Sequence, residues 1–195
     1  MHLITFYWHK HLCNQASEKK SLLYLKCSFL PIGGSPHPIW TSTSGCSATA
    51  IRSASIHAQA LCGAYRSDAV LAKWSGESPA CSLPGCTAPV GDIVHLLSGL
   101  CPALRPKLSL ATSRGLNILS SHPLLHDCVL SALNRTPTDW LKFLLDPSTE
   151  PSMIAYKQKH GRSSIYPLFR FSRTFIWTMH RERLRLKKQS HYLIV

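Results

Sequence analysis

The sequence predicts a mainly helical protein, in which several short-to-medium helices surround a small knot of cysteine and histidine side chains, with an irregular N-terminal arm. Three observations lead to this prediction. Apolar residues recur at three- and four-residue steps over much of the chain, which is typical of helices. Prolines and glycines separate these periodic segments. Three cysteines and one histidine fall within residues 81–101, and strand-like alternation is scarce.

The chain has 195 residues, which is enough for one domain with a loosely attached arm. We divide it into an irregular arm at 1–34, a helical domain at 35–150 that contains the knot, and a basic helical tail at 151–195. No apolar run approaches the roughly 20 residues that span a bilayer. The apolar start of the arm is interrupted by His9 and Lys10, a poor match to a signal peptide. We therefore expect a nuclear or cytoplasmic protein that is not secreted and has no membrane partner.

The helices are predicted from periodicity and from the residues that end them. The segment 48–76 has apolar residues at helical spacing, at Ile51, Ala54, Ala58, Leu61 and Tyr65. Gly63 divides this segment and Gly76 is a suitable C-terminal stop. Further helices are predicted from about Pro106 to Ser120, from Pro123 onward, over 138–146, over 151–161 and from about Tyr166 to Gln189.

The knot has the spacing Cys81-x4-Cys86-x8-His95-x5-Cys101. Thiolate and imidazole are the ligands that zinc binds in structural sites, often as two close pairs. We therefore predict one zinc ion held by these four side chains.

The residues between the ligands suit such a site. "SLPG" can form a tight turn that returns the second cysteine toward the first. Asp92 is a suitable N-cap for a short helix that carries His95. Ser98 and Gly99 end that helix before Cys101, so the chain can bring the fourth ligand back to the metal.

Other interpretations of the cysteines and histidines stay open at this point. The chain has eight cysteines, but disulfides are rare in proteins that are not exported, and pairing gives no reason for His95. Four unrelated core residues would leave the two turns unexplained. His122, His126 and Cys128 could form half of a second metal site, although no fourth ligand is evident.

The charge balance points to a polyanionic partner. The chain has 22 Lys and Arg against 9 Asp and Glu, a formal net charge of +13, which favours nucleic acid or an anionic membrane surface. Most of this charge lies in the tail, where Glu182 is the only acid.

On a helix, the tail divides into two stripes. The apolar stripe consists of Leu168, Phe171, Phe175, Met179 and Leu186. The second consists of Arg170, Arg173, Trp177, Arg181, Arg185 and Lys188. We expect these cations to bind phosphates and Trp177 to stack on an unpaired base. The alternatives are a solvated face with Trp177 in the core and, less favoured, contact with an anionic membrane.

The segment "WSGESPACSLPGCTAPVGDIVHLLSGLCPAL" resembles the zinc-binding-like region downstream of the polymerase in LINE-type, non-LTR retrotransposon reverse transcriptases. "GGSPHPIW" and "LCGAYRSD" resemble its upstream flanks, and "FLLDPSTEPSMIAYKQKHG" and "RTFIWTMHRERLRL" resemble its C-terminal tail. The resemblance covers roughly residues 20–190. It implies that Cys81, Cys86, His95 and Cys101 occupy the family's Cys-Cys-His-Cys positions.

The resemblance implies association with RNA or DNA during target-primed reverse transcription, and it makes a polymerase a candidate partner. The polymerase itself needs clustered aspartates for two metal ions, whereas this chain has five dispersed ones and no aromatic-Ala-Asp-Asp box. We therefore expect a non-catalytic, zinc-stabilised nucleic-acid-binding module without a small-molecule substrate. The alternative is an inert structural remnant or a protein-interaction module whose zinc only holds the fold.

Overall fold

The structure, a computed structural model, describes residues 37–42 and 47–192, with side chains through Gln189. Within these residues it contains nine α-helices and three short 3-10 helices, and no strand. The predicted mainly helical class is confirmed. The predicted N-terminal arm at 1–34 lies outside the described residues. None of the described helices is long and apolar enough to cross a membrane.

The α-helices are α1 (Pro38–Thr41), α2 (Ala48–Leu61), α3 (Asp68–Ser75), α4 (Ile93–Leu97), α5 (Arg105–Leu116), α6 (Pro123–Leu133), α7 (Pro137–Leu145), α8 (Pro151–His160) and α9 (Tyr166–Tyr192). The 3-10 helices are Asn117–Leu119, Pro147–Thr149 and Arg162–Ile165. Proline occupies the first turn of α1, α5, α6, α7 and α8. This placement is favourable because the first-turn amides have no partner within the helix.

Glycine and serine set the break between α2 and α3. Gly63 has φ +68° just after the end of α2, a conformation that suits glycine because it has no Cβ. The side chain of Ser67 accepts a hydrogen bond from the amide of Val70 and so begins α3. Gly76 ends α3 in the left-handed conformation. The predicted division at Gly63 and the predicted stop at Gly76 are both confirmed.

The core forms around α9, which packs against α1, α2 and α5. Four residues of the apolar stripe predicted for this helix, Leu168, Phe171, Phe175 and Met179, are at most 1% exposed. The fifth, Leu186, is partly buried against the core. Trp140 of α7 meets Phe175 edge-on, with the ring centroids 5.4 Å apart. Burial of these large apolar side chains supplies the main driving force for folding. The tail helix therefore shares one core with the segment before it.

A buried histidine joins α2 to α7. The imidazole Nε2 of His57 lies 2.8 Å from the backbone oxygen of Leu145, the last residue of α7. Burial lowers the pKa of His57 to about 4, so the ring is neutral at pH 7 and can donate one hydrogen to that carbonyl. A helix-end carbonyl without an intrahelical partner is thereby satisfied inside the core.

The helices α5 and α9 approach each other closely at Gly115. A Cβ placed on Gly115 would lie 2.5 Å from Cδ2 of Phe171, and the Phe171 ring is fully buried. Only glycine permits this separation of the two helices.

We expect Gly115→Ala to lower the free energy of unfolding by about 1–3 kcal/mol, because the added methyl overlaps a ring that has no room to move. The sign is informative, since alanine in place of glycine inside a helix normally stabilises by about 1 kcal/mol. Urea unfolding measures the change. Ser113→Ala, at an exposed position of the same helix, is the control and should stay within about 0.5 kcal/mol. Stabilisation by Gly115→Ala would contradict the close approach.

Candidate functional site

The four side chains predicted as metal ligands converge on one point. One ligand atom each from Cys81, Cys86, His95 and Cys101 lies within 4.8 Å of all the others. The two sulfurs of Cys81 and Cys101 are 3.9 Å apart, and the sulfur of Cys86 is 3.3 Å from Nε2 of His95. Three thiols and an imidazole at these separations could hold one metal ion. This is the one such cluster in the part of the chain that the structure describes.

The disulfide interpretation does not hold for the described cysteines. All five of them are free, namely Cys62, Cys81, Cys86, Cys101 and Cys128. The 3.9 Å between the sulfurs of Cys81 and Cys101 is far longer than the roughly 2.05 Å of an S–S bond. Cys13, Cys27 and Cys46 lie outside the described residues.

A tight turn brings the first two ligands together. The amide of Cys86 donates a hydrogen bond of 3.1 Å to the carbonyl of Leu83. Gly85, within this turn, has φ +70°, which is favourable for glycine. The amide of Cys81 donates to the carbonyl of Ala88, so the chain closes on itself after Cys86. The turn predicted from "SLPG" is present.

The third and fourth ligands are placed by α4 and by its end. The carboxylate of Asp92 accepts a hydrogen bond of 2.8 Å from the amide of His95, which caps α4 as predicted. Gly99, at φ +81°, lies just beyond the helix. The amide of Cys101 then donates to the carbonyl of His95 at 3.1 Å. This hydrogen bond turns Cys101 back toward the imidazole.

Burial makes the thiols of Cys81 and Cys101 weaker acids than an ordinary cysteine thiol. It raises the pKa of Cys81 to about 12 and raises the pKa of Cys101 as well. Metal ligation requires thiolates, so an ion that binds here must displace these protons. Metal affinity at this site should therefore fall with decreasing pH.

Asp68 connects the ligand loop to α9. Its carboxylate accepts hydrogen bonds from the amide and the hydroxyl of Ser82, the residue after the first ligand, at 3.2 and 3.0 Å. The same carboxylate pairs with Nη2 of Arg183 at 3.2 Å and Nζ of Lys187 at 2.5 Å. Arg183 also donates to the carbonyl of Arg66 at 2.7 Å. One carboxylate thus holds the loop and the tail helix together.

The basic stripe predicted on α9 does not face one direction. Arg173 is buried and donates a hydrogen bond of 3.2 Å to the hydroxyl of Ser42. Arg170 is exposed, and its Nε donates to the backbone oxygen of Ser42. Arg173, which helical spacing placed on the basic stripe, thus lies in the core near α1. Lys188 is exposed.

The other half of the stripe lines a groove between α5 and α9 with a volume of about 340 Å³. We call it the basic groove, and its walls include Lys107, Leu110, Arg114, Trp177, Arg181 and Arg185. Glu182 also lines it and pairs with Arg185 at 2.6 Å. Sequence reasoning missed Lys107 and Arg114. Their positions seven residues apart place them on one face of α5, but nothing local indicates that this face meets α9.

The second metal site considered from the sequence is not assembled. His122, His126 and Cys128 belong to no metal-binding cluster among the described residues. Nδ1 of His126 instead lies 3.8 Å from a carboxylate oxygen of Asp127.

We expect metal removal to unfold residues 81–101 while α2 keeps its structure. Bonds from the four ligands to the predicted zinc ion would hold residues 81–101 together. Structural zinc sites of this type contribute about 10–16 kcal/mol of apparent binding free energy. The helix α2 depends less on the knot, because it also packs against α1, α7 and α9 and buries Ala54 and Leu61 in the core. Hydrogen exchange before and after chelation measures both regions. Cys86→Ser should reproduce the local loss, whereas Cys62→Ser, at an exposed free cysteine, should not. Equal loss of protection in α2 would contradict this expectation.

We expect Asp68→Asn to lower the free energy of unfolding at pH 7 by about 3–5 kcal/mol, because it leaves the buried Arg183 guanidinium without its counter-charge. Asp139→Asn is the matched control, since Asp139 forms an exposed ion pair with Lys142, and such pairs contribute about 0–1 kcal/mol.

The effect of Asp68 should depend on pH in a defined direction. Burial alone would raise the pKa of Asp68, but hydrogen bonding from Lys187 and the charge of Arg183 hold it below its ordinary value of 3.8. A lowered pKa stabilises the folded state at pH values above the ordinary value, and this contribution is lost as the pH falls through the folded-state pKa. The difference between wild type and Asp68→Asn should therefore narrow below about pH 4. A constant difference from pH 7 to pH 2 would argue against the charged cluster.

Comparison with known proteins gives no relative from which the site could be interpreted. No protein-family model matches the chain, and neither a curated protein nor a solved structure is significantly similar to it. The resemblance to LINE-type reverse transcriptases thus stays a prediction from the sequence. The chemistry of the site must be inferred from its own donor atoms and charges.

Proposed function

We propose that this chain is a non-catalytic, zinc-stabilised module that binds RNA or DNA, derived from the C-terminal region of a LINE-type reverse transcriptase. The observation that carries the proposal is the convergence of three cysteine sulfurs and one imidazole nitrogen within a chain of net charge +13. A closed structural metal site in a strongly basic domain is a combination suited to nucleic-acid recognition.

The separations between the donor atoms support zinc as the ion. Zinc bonds of about 2.3 Å to sulfur and about 2.0–2.1 Å to nitrogen, at tetrahedral angles, separate two sulfurs by about 3.8 Å and a sulfur and a nitrogen by about 3.5 Å. The corresponding distances here are 3.9 and 3.3 Å. Thiolates and imidazole also favour zinc over magnesium or calcium, which prefer oxygen ligands.

The ligand count supports a structural role rather than a catalytic one. Three thiolates and one imidazole complete a tetrahedral shell, whereas catalytic zinc keeps a position for water or substrate. Three of the ligands, Cys81, His95 and Cys101, are buried, so a substrate would have little access to the ion. The five aspartates of the chain are dispersed in the sequence, which also favours a binding module over a polymerase.

The charge distribution supports nucleic acid as the partner. Arg181, Arg185 and Arg114 are exposed and project from two neighbouring helices into the basic groove. Guanidinium groups match phosphate oxygens in shape and charge, and phosphate contacts supply most of the affinity in sequence-independent binding.

A second candidate is a remnant or protein-interaction module in which zinc only holds the fold. The observation that favours it is the buried cluster at Asp68, which ties the ligand loop to α9 through Arg183 and Lys187. A metal in the knot would then stabilise the packing of the ligand loop against α9, and this role requires no nucleic acid.

Two measurements on the purified full-length chain test the proposal. Metal analysis should give one zinc per chain. Fluorescence anisotropy with a labelled single-stranded RNA, from 50 to 200 mM salt, should give a log–log slope of about −2 to −3.5, as expected for three to five neutralised phosphates. Strands of different sequence should bind alike.

A polyglutamate of matched length and charge is the control polyanion. Weaker binding to polyglutamate than to RNA is expected, since polyglutamate has neither phosphates nor bases. A zinc-loaded chain that binds no RNA or DNA at 50 mM salt would favour the second candidate. A chain that binds RNA but contains no zinc would separate the binding activity from the metal assignment.

A further inference from the structure

We propose that the basic groove between α5 and α9 is the site that holds nucleic acid, and that its occupant is a short single-stranded stretch. Phosphates contact Lys107, Arg114, Arg181 and Arg185, and an unpaired base packs against Trp177. This inference rests on the proposed function and assigns it to one surface, which includes two residues of α5 outside the basic tail.

Each wall of the groove carries a row of side chains on one helix face. On α5, Lys107, Leu110 and Arg114 follow one another at steps of three and four, which places them on one helix face. On α9, Trp177, Arg181 and Arg185 follow at steps of four. Both rows line the same groove. With a rise of about 1.5 Å per residue, each row is about 10–12 Å long, the length of about three stacked nucleotides at about 3.4 Å each.

The groove carries a net positive charge that the fold does not neutralise. Its walls contain four cations and one carboxylate, that of Glu182. Glu182 pairs with Arg185 through contacts of 2.6 and 3.0 Å. Across the described residues, no carboxylate forms an ion pair with Lys107, Arg114 or Arg181. The charge of Lys107 does act on Glu182, whose pKa it helps to lower, but none of the three cations has to break an ion pair to contact a phosphate.

Other cations of α9 are engaged in the fold. Arg183 and Lys187 contact Asp68, and Arg173 contacts Ser42. The contrast separates cations that stabilise the protein from cations that line the groove. Arg181 and Arg185 each lie two residues from Arg183. Since a helix turns by about 100° per residue, two residues correspond to about 200°, so both side chains lie on the face opposite Arg183.

Trp177 is held as a partly exposed platform. Its ring stacks on His180, with centroids 5.9 Å apart and planes at 25°. Nδ1 of His180 lies 3.1 Å from the hydroxyl of Tyr65, which fixes the histidine in turn. Trp140, a core tryptophan, is only 3% exposed, whereas Trp177 is half-buried and lines the groove. An aromatic ring among cations along a groove is the arrangement that binds single strands without sequence preference.

The tryptophan in the wall of the groove favours a single strand over a duplex, because only an unpaired base can stack on the indole. A duplex presents only its phosphates to a surface of this kind and keeps its bases away from Trp177. An acidic peptide would satisfy the cations but has no base to stack on the indole.

The decisive comparison uses two double variants of the zinc-loaded full-length chain. Lys107→Ala with Arg114→Ala removes one lysine and one arginine from the groove. Arg52→Ala with Lys159→Ala removes the same charges from exposed positions of α2 and α8 outside the groove. Binding of a fluorescein-labelled oligouridine of twelve nucleotides is measured from 50 to 200 mM salt. Circular dichroism and zinc content establish that each variant is folded.

We expect the groove double variant to bind at least about tenfold more weakly, with a log–log salt slope lower in magnitude by about 1.4, since each lost phosphate contact on a single strand removes about 0.7. The control double variant should change affinity less than about threefold and leave the slope nearly unchanged. Trp177→Leu should weaken binding by about five- to a hundredfold without altering the slope, because stacking involves no counterion release. Trp177→Phe should restore most of the affinity.

The possible outcomes separate the groove from the proposed function. If wild type binds oligouridine but both double variants weaken binding equally, the groove is not the site, although the chain still binds nucleic acid. If wild type binds no strand at all, the proposed function fails and the groove assignment fails with it. Equal competition by duplex of the same length, or by polyglutamate, would also overturn the single-strand assignment.

Discussion

The carboxylate of Asp68 is the interaction on which the arrangement of the knot and the tail helix depends. It contacts Ser82 in the ligand loop and the cations Arg183 and Lys187 on α9, so the start of α3, the ligand loop and the distant tail helix meet at one side chain. Gly91 packs so closely here that a Cβ would lie 2.8 Å from an oxygen of Asp68. A buried carboxylate needs such partners because an unpaired buried charge is very costly. The position of α9 and the position of the ligands are therefore fixed together.

Features set by neighbouring residues could be predicted from the sequence. Helix ends are set by residues within a few positions of the end, so they could be predicted correctly. Examples are the first-turn prolines, Gly63, Gly76 and the Asp92 cap. The knot could also be predicted, since its ligands lie within 21 residues of one another and its turns are local. The apolar stripe of α9 followed from periodicity alone, because a long helix with one apolar face must bury that face.

Features that depend on distant partners could not be predicted. Helical spacing placed Arg173 on the same stripe as Arg181, but periodicity does not say what lies opposite each residue, and Ser42 lies opposite Arg173. Asp68 and Arg183 are 115 positions apart in the chain. Lys107 and Arg114 line the groove only because α5 packs closely against α9, an approach that Gly115 permits at Phe171. The sequence contains each of these residues without indicating that they meet.

The cations of α9 therefore fall into two groups that net charge cannot distinguish. One group faces inward, where Arg173 and Arg183 have polar partners and their charges support the fold. The other group lines the groove with α5, where Arg181 keeps its charge available to a ligand. Under the proposed function, the metal does not touch the nucleic acid. It holds the ligand loop, the loop holds Asp68, and Asp68 holds the turn of α9 from which the groove cations project. On this proposal, zinc contributes to nucleic-acid binding by positioning the helix that carries the groove cations.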